Sequence, residues 1–193
     1  VTLVEGVVIE TGVSIDGKTV KAISELKRGC RHFISLFSHT TCRILDQEGV
    51  AGKENEITAT PRLLSRQCLV GSMVTADALL TQTKITEAIR RSGADYLLVV
   101  KGNHSYLEDI FKTTFTDSLT QTTGGVFHES RRTRAIKTTI DLTDDLDLPE
   151  LIIAGWCDLA LVGKLHRVGT RVTKRAVVDV DENDAVREVF SFM

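Results

Sequence analysis

The chain has 193 residues, of which 42% are hydrophobic and 26% are charged, with a formal net charge of −2. This composition predicts one soluble, well-packed domain, with room for a smaller appendage. No apolar stretch approaches the roughly 18 to 20 residues that span a bilayer, and the first residues lack the basic start and apolar core of a signal peptide. The sequence therefore argues against membrane insertion and secretion, and we expect a cytoplasmic protein.

The amino-terminal part is dominated by strand patterns. Valine and isoleucine are frequent over residues 7–16, and Asp16-Gly17-Lys18 is a turn signal, so a strand that leads into a hairpin is predicted. Two further apolar, β-branched runs, residues 32–37 and 43–50, predict two more strands.

Strands and helices then alternate. Residues 55–67 have helical spacing, with Pro61 tolerable only within the first helical turn. A strand over 69–75 is followed by a helix over about 80–92 that Gly93 closes. A strand over 96–100 precedes another helix, with apolar residues Leu107, Ile110, Phe111 and Phe115. This alternation predicts an α/β fold with parallel strands and helices on the sheet faces.

The pattern changes after about residue 118. Thr and Gly replace helix formers, and short alternating runs follow at 126–139, 151–156 and 171–180. We therefore predict two regions, a core over residues 1–118 and a β-rich region over 119–193. The chain begins at Val1 and ends in an apolar run at Met193, so we expect a fragment of a longer protein.

Two aspartates stand out because each follows a predicted strand. Asp16 ends the first strand, and Asp77 comes after the strand over 69–75, while Lys101 follows the strand over 96–100. Two carboxylates at neighbouring strand ends can hold a divalent metal against a phosphodiester, which predicts phosphoryl transfer on nucleic acid. The alternatives are a simple turn at Asp16 and a helix cap at Asp77.

The small net charge is not typical of a nucleic-acid-binding domain, but the charges are unevenly distributed along the chain. Basic residues concentrate in the second half, where they could form a face that follows phosphates. The alternative is that these charges simply alternate on solvated strands. The basic residues in question are Arg131, Arg132, Arg134 and Lys137, and then Lys164, His166, Arg167, Arg171, Lys174 and Arg175.

Several ordered segments resemble the H-repeat-associated insertion-sequence transposases, a family with three catalytic acids (DDE) in a ribonuclease-H-like domain. They are Ile15-Asp16-Gly17-Lys18-Thr19, Lys53-Glu54-Asn55-Glu56-Ile57 with Pro61-Arg62-Leu63-Leu64, Val74-Thr75-Ala76-Asp77-Ala78 with Gln82, and Gly93-Ala94-Asp95-Tyr96-Leu97 running to Lys101-Gly102-Asn103. The resemblance implies a ribonuclease-H-like mixed sheet with flanking helices, followed by a β-rich insertion. It also implies that Asp16 and Asp77 are the first two catalytic acids and hold the metal.

The third acid is assigned through the same resemblance. His128-Glu129-Ser130-Arg131-Arg132 is similar to a His-Gly-Arg-Ile-Glu-x-Arg segment of the family, which places Glu129 on its glutamate, although residues 125–128 depart from that pattern. In related transposases with a β-rich insertion the last acid follows the insertion, on a helix that this chain would lack. The alternative for Glu129 is a surface glutamate paired with Arg131 or Arg132.

The resemblance implies Mg²⁺ or Mn²⁺ as cofactor and double-stranded DNA, both element ends and target, as partner. It also implies a homo-oligomer in the DNA complex and a location at the prokaryotic nucleoid. Family positions are also matched by Asn55, Glu56 and Asn103, and the candidate DNA-binding residues are Lys18, Lys53, Lys101, Arg131, Arg132 and Arg134.

Three rival hypotheses remain. One is an inactive transposase remnant that binds DNA or nothing, and another is a nuclease that only hydrolyses. A small-molecule enzyme of Rossmann type is disfavoured because no Gly-x-Gly-x-x-Gly segment follows a strand.

Overall fold

The computed structural model describes residues 2–4, 7–9, 12–19, 32–50, 54–117, 122–131, 134–144, 146, 155–156, 158–172 and 177–190. These residues fall into two compact units. The first comprises the described residues up to Val99 together with those at 155–158, and the second comprises those from Val100 to 146 and from Leu159 to Phe190. The predicted boundary between residues 118 and 119 stays a prediction.

The first unit contains a mixed five-stranded sheet. Its strands are β3 (Gly12–Thr19), β4 (His32–Ser38), β5 (Arg43–Val50), β6 (Met73–Ala76) and β7 (Asp95–Leu98), in the order β5-β4-β3-β6-β7. The first three pair antiparallel, whereas β3, β6 and β7 run parallel. Two short strands, β1 (Thr2–Val4) and β2 (Val7–Ile9), form a separate hairpin. The predicted α/β class is therefore confirmed.

Two helices cover one face of this sheet. Helix α1 (Glu56–Leu64) packs against β4 and β5, helix α2 (Thr83–Arg91) packs against β7, and the two helices contact each other. Buried side chains alternate along the strands beneath them, and the strand register places these side chains on a common face. They are Val13, Ile15, Ile34, Leu36, Val74, Ala76, Tyr96 and Leu98.

Local chemistry explains the helix ends. The Asn55 side chain caps α1 by accepting a hydrogen bond from the Thr58 backbone N–H at 3.0 Å. Gly93 follows α2 with φ +85°, a left-handed conformation that glycine adopts without strain, so the predicted end of this helix is confirmed.

Pro61 departs from the expectation that it would lie in the first helical turn. It is the sixth residue of α1, where its ring removes one backbone hydrogen bond. The helix persists because Ala59, Thr60, Leu63 and Leu64 are all buried against the rest of the unit, and burial of this face offsets the lost bond.

The second unit is a helix followed by an antiparallel sheet. Helix α3 (Ser105–Asp117) comes after a short 3-10 turn and buries Leu107 and Phe111. Strands β8 (Thr122–Arg131), β9 (Arg134–Thr143), β10 (Leu161–Val172) and β11 (Val177–Phe190) pair in that order. The predicted runs over 126–139 and 171–180 each turn out to span two strands of a hairpin. Most of the predicted run over 151–156 lies outside the described residues.

Among the described residues, none of the helices combines the length and the apolar character that a bilayer crossing requires.

A network of ion pairs joins α1 to the edge strand β5. Arg66 donates to Asp46 at 3.0 Å and to Glu48 at 2.7 Å, and Arg62 donates to Glu48 at 3.0 Å and also pairs with Glu54. The hydrogen bonds from Arg66 lower the pKa of Asp46, and those from Arg66 and then Arg62 lower the pKa of Glu48. The network therefore stabilises the docking of α1 only while both carboxylates are ionised.

We expect Arg66→Gln to flatten the acid dependence of stability. Carboxylates whose folded-state pKa is lowered stabilise the fold above about pH 5, and this contribution is lost as the pH falls below about 4. Wild type should therefore lose stability more steeply than Arg66→Gln between about pH 6 and pH 3 in urea unfolding. Arg43→Gln, at an exposed arginine of β5, is the control. Equal slopes in wild type and Arg66→Gln would contradict the prediction.

Candidate active site

Asp16 and Asp77 lie side by side at the end of the parallel strand pair. The register of β3 against β6 runs from Gly12 opposite Met73 to Ile15 opposite Ala76, and the next residue on each strand is an aspartate. Asp77 keeps an extended backbone, with φ −73° and ψ 172°, so the chain continues straight past Ala76. Neighbouring strands are about 4.8 Å apart, which puts the two backbones within reach of one shared ion.

Strand alternation places both carboxylates on one face. Ile15 and Ala76 are buried under the helices, so the residues that follow them point to the other face. Both Asp16 and Asp77 are exposed. The pair therefore faces solvent, where a substrate can approach.

The turn hypothesis for Asp16 is wrong. Strand β3 continues through Asp16 to Thr19 and pairs Asp16 with Ser35 and Gly17 with Ile34 on β4. A turn signal was outweighed here because pairing with β4 and burial of Ile15 favour an extended chain. Among the described residues, the Asp16 side chain has no hydrogen-bond or ion-pair partner.

The cap hypothesis for Asp77 is correct in kind but not in place: Asp77 caps the short 3-10 turn Ala78–Leu80, whereas Gln82 is the N-cap of α2. Capping of this turn is compatible with metal binding. Asp77 Oδ1 accepts hydrogen bonds from the backbone N–H groups of Leu79 at 3.0 Å and Leu80 at 3.4 Å. These bonds leave Oδ2 for another ligand and fix the direction in which it points. Asp77 is thus oriented by its own helix cap.

The donor set fits a hard divalent cation. Carboxylate oxygens are the ligands that Mg²⁺ prefers, and a Mg²⁺ site typically uses one or two protein carboxylates with the remaining positions filled by water and substrate oxygens. Within the described part of the chain, no three His, Cys, Asp or Glu side chains form a group that could hold a metal. Asp16 and Asp77 are therefore candidates for a two-carboxylate site, with the remaining metal positions left to water and substrate.

The other predicted site residues lie in several places. Lys18 is exposed on β3, on the same face as Asp16 by alternation, and Lys101 is exposed in the second unit. Glu129 is exposed on β8, opposite Ile136. Arg131 and Arg134 are paired strand residues at the end of the β8–β9 hairpin. Lys53 and Arg132 lie outside the described residues. Asp16 and Asp77 each follow the last paired residue of neighbouring parallel strands, and Lys18 lies two residues beyond Asp16 on the same face of β3.

Two family-matched residues have contacts that the motif alone did not reveal. Asn55 is the cap of α1. Glu56 Oε1 accepts a hydrogen bond from His32 Nε2 at 2.5 Å. His32 lies on β4, next to the strand that contains Asp16, and neither its spacing nor its neighbours in sequence marked it as part of this region.

Comparison with known proteins gives consistent matches. The family model described as "Transposase DDE domain" matches residues 9–155. The putative protein YbfL of Escherichia coli K12 is 39% identical over 105 residues, which are 53% of this chain and 28% of that protein. The putative transposase YncI of the same strain is 38% identical over 105 residues, 42% of its length. The H repeat-associated putative transposase YhhI is 38% identical over 105 residues, 28% of its length.

These matches confirm the resemblance found in the sequence. They also show that the chain spans less than half the length of each of these relatives.

We expect substitutions at Asp77 to separate its two roles. Asp77→Asn keeps an oxygen for the cap but removes the charge, whereas Asp77→Ala removes both and should cost about 1 kcal/mol of unfolding free energy. In chelator, Asp77→Asn should melt at or above the wild-type temperature because it relieves repulsion between adjacent carboxylates. Mn²⁺ should raise the melting temperature of wild type and leave that of Asp77→Asn unchanged. An equal Mn²⁺ response in both would count against the site.

Proposed function

Because the chain belongs to the transposase DDE-domain family, we propose that it is the catalytic part of a transposase that cleaves DNA and joins the freed ends to a target. The observation on which this proposal depends is the in-register pair of Asp16 and Asp77 at the carboxyl end of parallel strands. Ligand sites of α/β sheets lie at this edge. The ribonuclease-H-like identity of the sheet is part of the same proposal.

In this proposal, the residues of the chain hold the metal ion and the phosphates of the substrate in position. Asp16 and Asp77 would hold Mg²⁺ or Mn²⁺, which when bound neutralises charge on a phosphodiester and favours in-line displacement. Asp77 is held by the backbone N–H groups of Leu79 and Leu80, so it need not reorganise when substrate arrives. Lys18, exposed on the same face, would pair with a phosphate near the carboxylates.

The substrate we propose is double-stranded DNA, as element ends and as target, acted on by a homo-oligomer. Support comes from the family and from the basic residues of the β8–β9 hairpin, where Arg131 lies opposite Arg134. Phosphate contacts from Lys and Arg position DNA without reading its sequence. Lys53, Lys101 and Arg132 complete the proposed set of contacts, and a location at the nucleoid would follow from DNA binding.

Glu129 is the proposed third acid through the resemblance alone. Its exposure on β8 leaves it accessible, but the described residues contain no group of three ligands. Since the relatives are more than twice as long as the matched region, an acid outside this chain is the alternative. Glu129→Gln in the full-length protein separates the two, because only a catalytic Glu129 would make that variant inactive.

We expect Asp16→Asn and Asp77→Asn, in the full-length protein, each to reduce Mn²⁺-dependent nicking of supercoiled plasmid. The reduction should exceed about 100-fold, the upper range for loss of groups that only orient a metal ligand. Glu87→Gln, at an exposed acid of α2, is the control and should keep full activity. Nicking that survives in either aspartate variant would contradict the proposal.

The same assay separates the rival functions. An inactive remnant would show no nicking in wild type at any Mn²⁺ concentration. A nuclease that only hydrolyses would nick plasmid but would not join a labelled, precut DNA end to it.

We also expect replacement of Arg131, Arg132 and Arg134 by alanine to weaken DNA binding and to flatten its salt dependence. Each lost phosphate contact should reduce the slope of log K against log salt by about 0.9. Fluorescence anisotropy over a series of NaCl concentrations measures this slope. Arg43→Ala, at an exposed arginine of β5, should leave it unchanged. A slope unaltered by the triple substitution would mean that these arginines are merely solvated.

A further inference from the structure

Within the described part of the chain, the segment of β3 that contains Asp16 pairs with another strand on one side only. The pairing of β3 with β6 ends at Ile15 opposite Ala76, whereas its pairing with β4 continues from Asp16 opposite Ser35 to Thr19 opposite His32. A strand end held by one neighbour opens more readily than one held by two. Some other contact has to fix this end if Asp16 is to keep a constant position beside Asp77.

Glu56 of α1 contacts this strand end from the opposite face. Its carboxylate lies directly over Gly17, so that a Cβ built on Gly17 would fall 2.2 Å from Glu56 Oε1 and 2.7 Å from Oε2. Real Cβ atoms essentially never approach other heavy atoms closer than 3.0 Å. The absence of a side chain at residue 17, immediately after Asp16, is therefore what lets the Glu56 carboxylate lie against the strand, because a Cβ there would displace it.

The same carboxylate holds the neighbouring strand. Glu56 Oε1 accepts from His32 Nε2 at 2.5 Å, and the other ring nitrogen of His32 lies 2.9 Å from Thr19 Oγ1. Thr19 and His32 are directly opposite each other on β3 and β4. One glutamate thus connects both strands at the point where β6 no longer contributes.

Glu56 is itself well anchored. It is the first residue of α1, next to the Asn55 cap, and its carbonyl accepts from Thr60 Oγ1 at 2.7 Å. Its side chain is only 18% exposed. A partly buried carboxylate on a capped helix is a better defined point of attachment than a carboxylate on a loop.

We propose that Glu56 is a positioning residue for Asp16: by packing on Gly17 and bonding His32, it fixes the strand end that presents the first carboxylate of the metal pair. The metal-binding role of Asp16 is part of the proposed function, and this inference rests on it. The contact of Glu56 with Gly17 and His32 can be tested independently of that role. Glu56 lies on the helix-covered face and Asp16 on the other, so Glu56 acts through the backbone and does not touch the ion.

The first measurement is hydrogen exchange of the backbone amides of wild type, Glu56→Ala, Glu56→Gln and Glu54→Ala by NMR. Glu54→Ala is the matched control, because Glu54 is an acid two residues away that pairs with Arg62 on α1. In Glu56→Ala, exchange at Gly17 and Lys18 should accelerate by about tenfold, as expected from loss of one charge-assisted hydrogen bond. Exchange at Val13 and Ile15 should match that in Glu54→Ala.

The second measurement is Mn²⁺ affinity of the same four proteins by calorimetry. Glu56→Ala should bind Mn²⁺ about tenfold more weakly, the lower end of the effect of removing a supporting contact from a metal site. Glu54→Ala loses the same charge and should bind like wild type. Glu56→Gln keeps the shape and the acceptor oxygen, so it should recover most of the affinity, which a purely electrostatic effect would not allow.

A compensating pair gives a third measurement. Gly17→Ala should impair exchange protection and Mn²⁺ binding, because its Cβ collides with the Glu56 carboxylate. Gly17→Ala combined with Glu56→Ala removes the collision, so the double variant should bind Mn²⁺ no more weakly than Glu56→Ala alone. Additive losses in the double variant would overturn the proposed contact.

The outcomes separate this inference from the proposed function. If wild type binds Mn²⁺ and Asp16→Asn does not, but Glu56→Ala behaves like Glu54→Ala in both measurements, the positioning role is overturned and the metal site stands. If wild type does not bind Mn²⁺, the proposed function is contradicted. The exchange data then decide alone whether Glu56 fixes the strand end.

Discussion

Parallel pairing of β3 with β6 is the constraint on which the candidate site depends. Residues 61 apart in sequence become neighbours only because Ile15 and Ala76 are the last partners of one ladder, so that Asp16 and Asp77 come next. The buried face beneath α1 and α2 sets this register. A shift by one residue would turn Ile15 to solvent and Asp16 into the core, at a cost far above that of any single surface contact.

The side chains of the two aspartates differ in how they are fixed in position. Asp77 is fixed by local backbone N–H groups, which satisfy one of its oxygens and define the direction of the other. Asp16 has no such bond within the described structure, so its position depends on the strand itself and on the contact of Glu56 with Gly17. Two like charges side by side repel each other, so a cation between the two carboxylates would stabilise the fold.

The family match and the strand register next to Asp16 and Asp77 are two independent observations in support of the proposed function. The family match concerns residues 9–155 as a whole, whereas the register concerns two residues and their surroundings. Most of the length of the relatives lies beyond the matched region. Within this chain, Asp16, Asp77 and Lys18 lie on one face at the carboxyl end of the parallel strands.

Local pattern determined the strands β4 and β5, the end of α2 at Gly93, and the α/β class, because hydrophobic period and capping act over a few residues. The same local signals failed at Asp16-Gly17-Lys18, where turn chemistry lost to pairing with β4, and at Pro61, where burial outweighed a broken helix bond. The segments that resemble the family include both Gly17 and Glu56, but they do not predict that these two residues are in contact. Only tertiary structure decided that connection, since the contact joins a strand to a helix 39 residues away and depends on how α1 packs on the sheet.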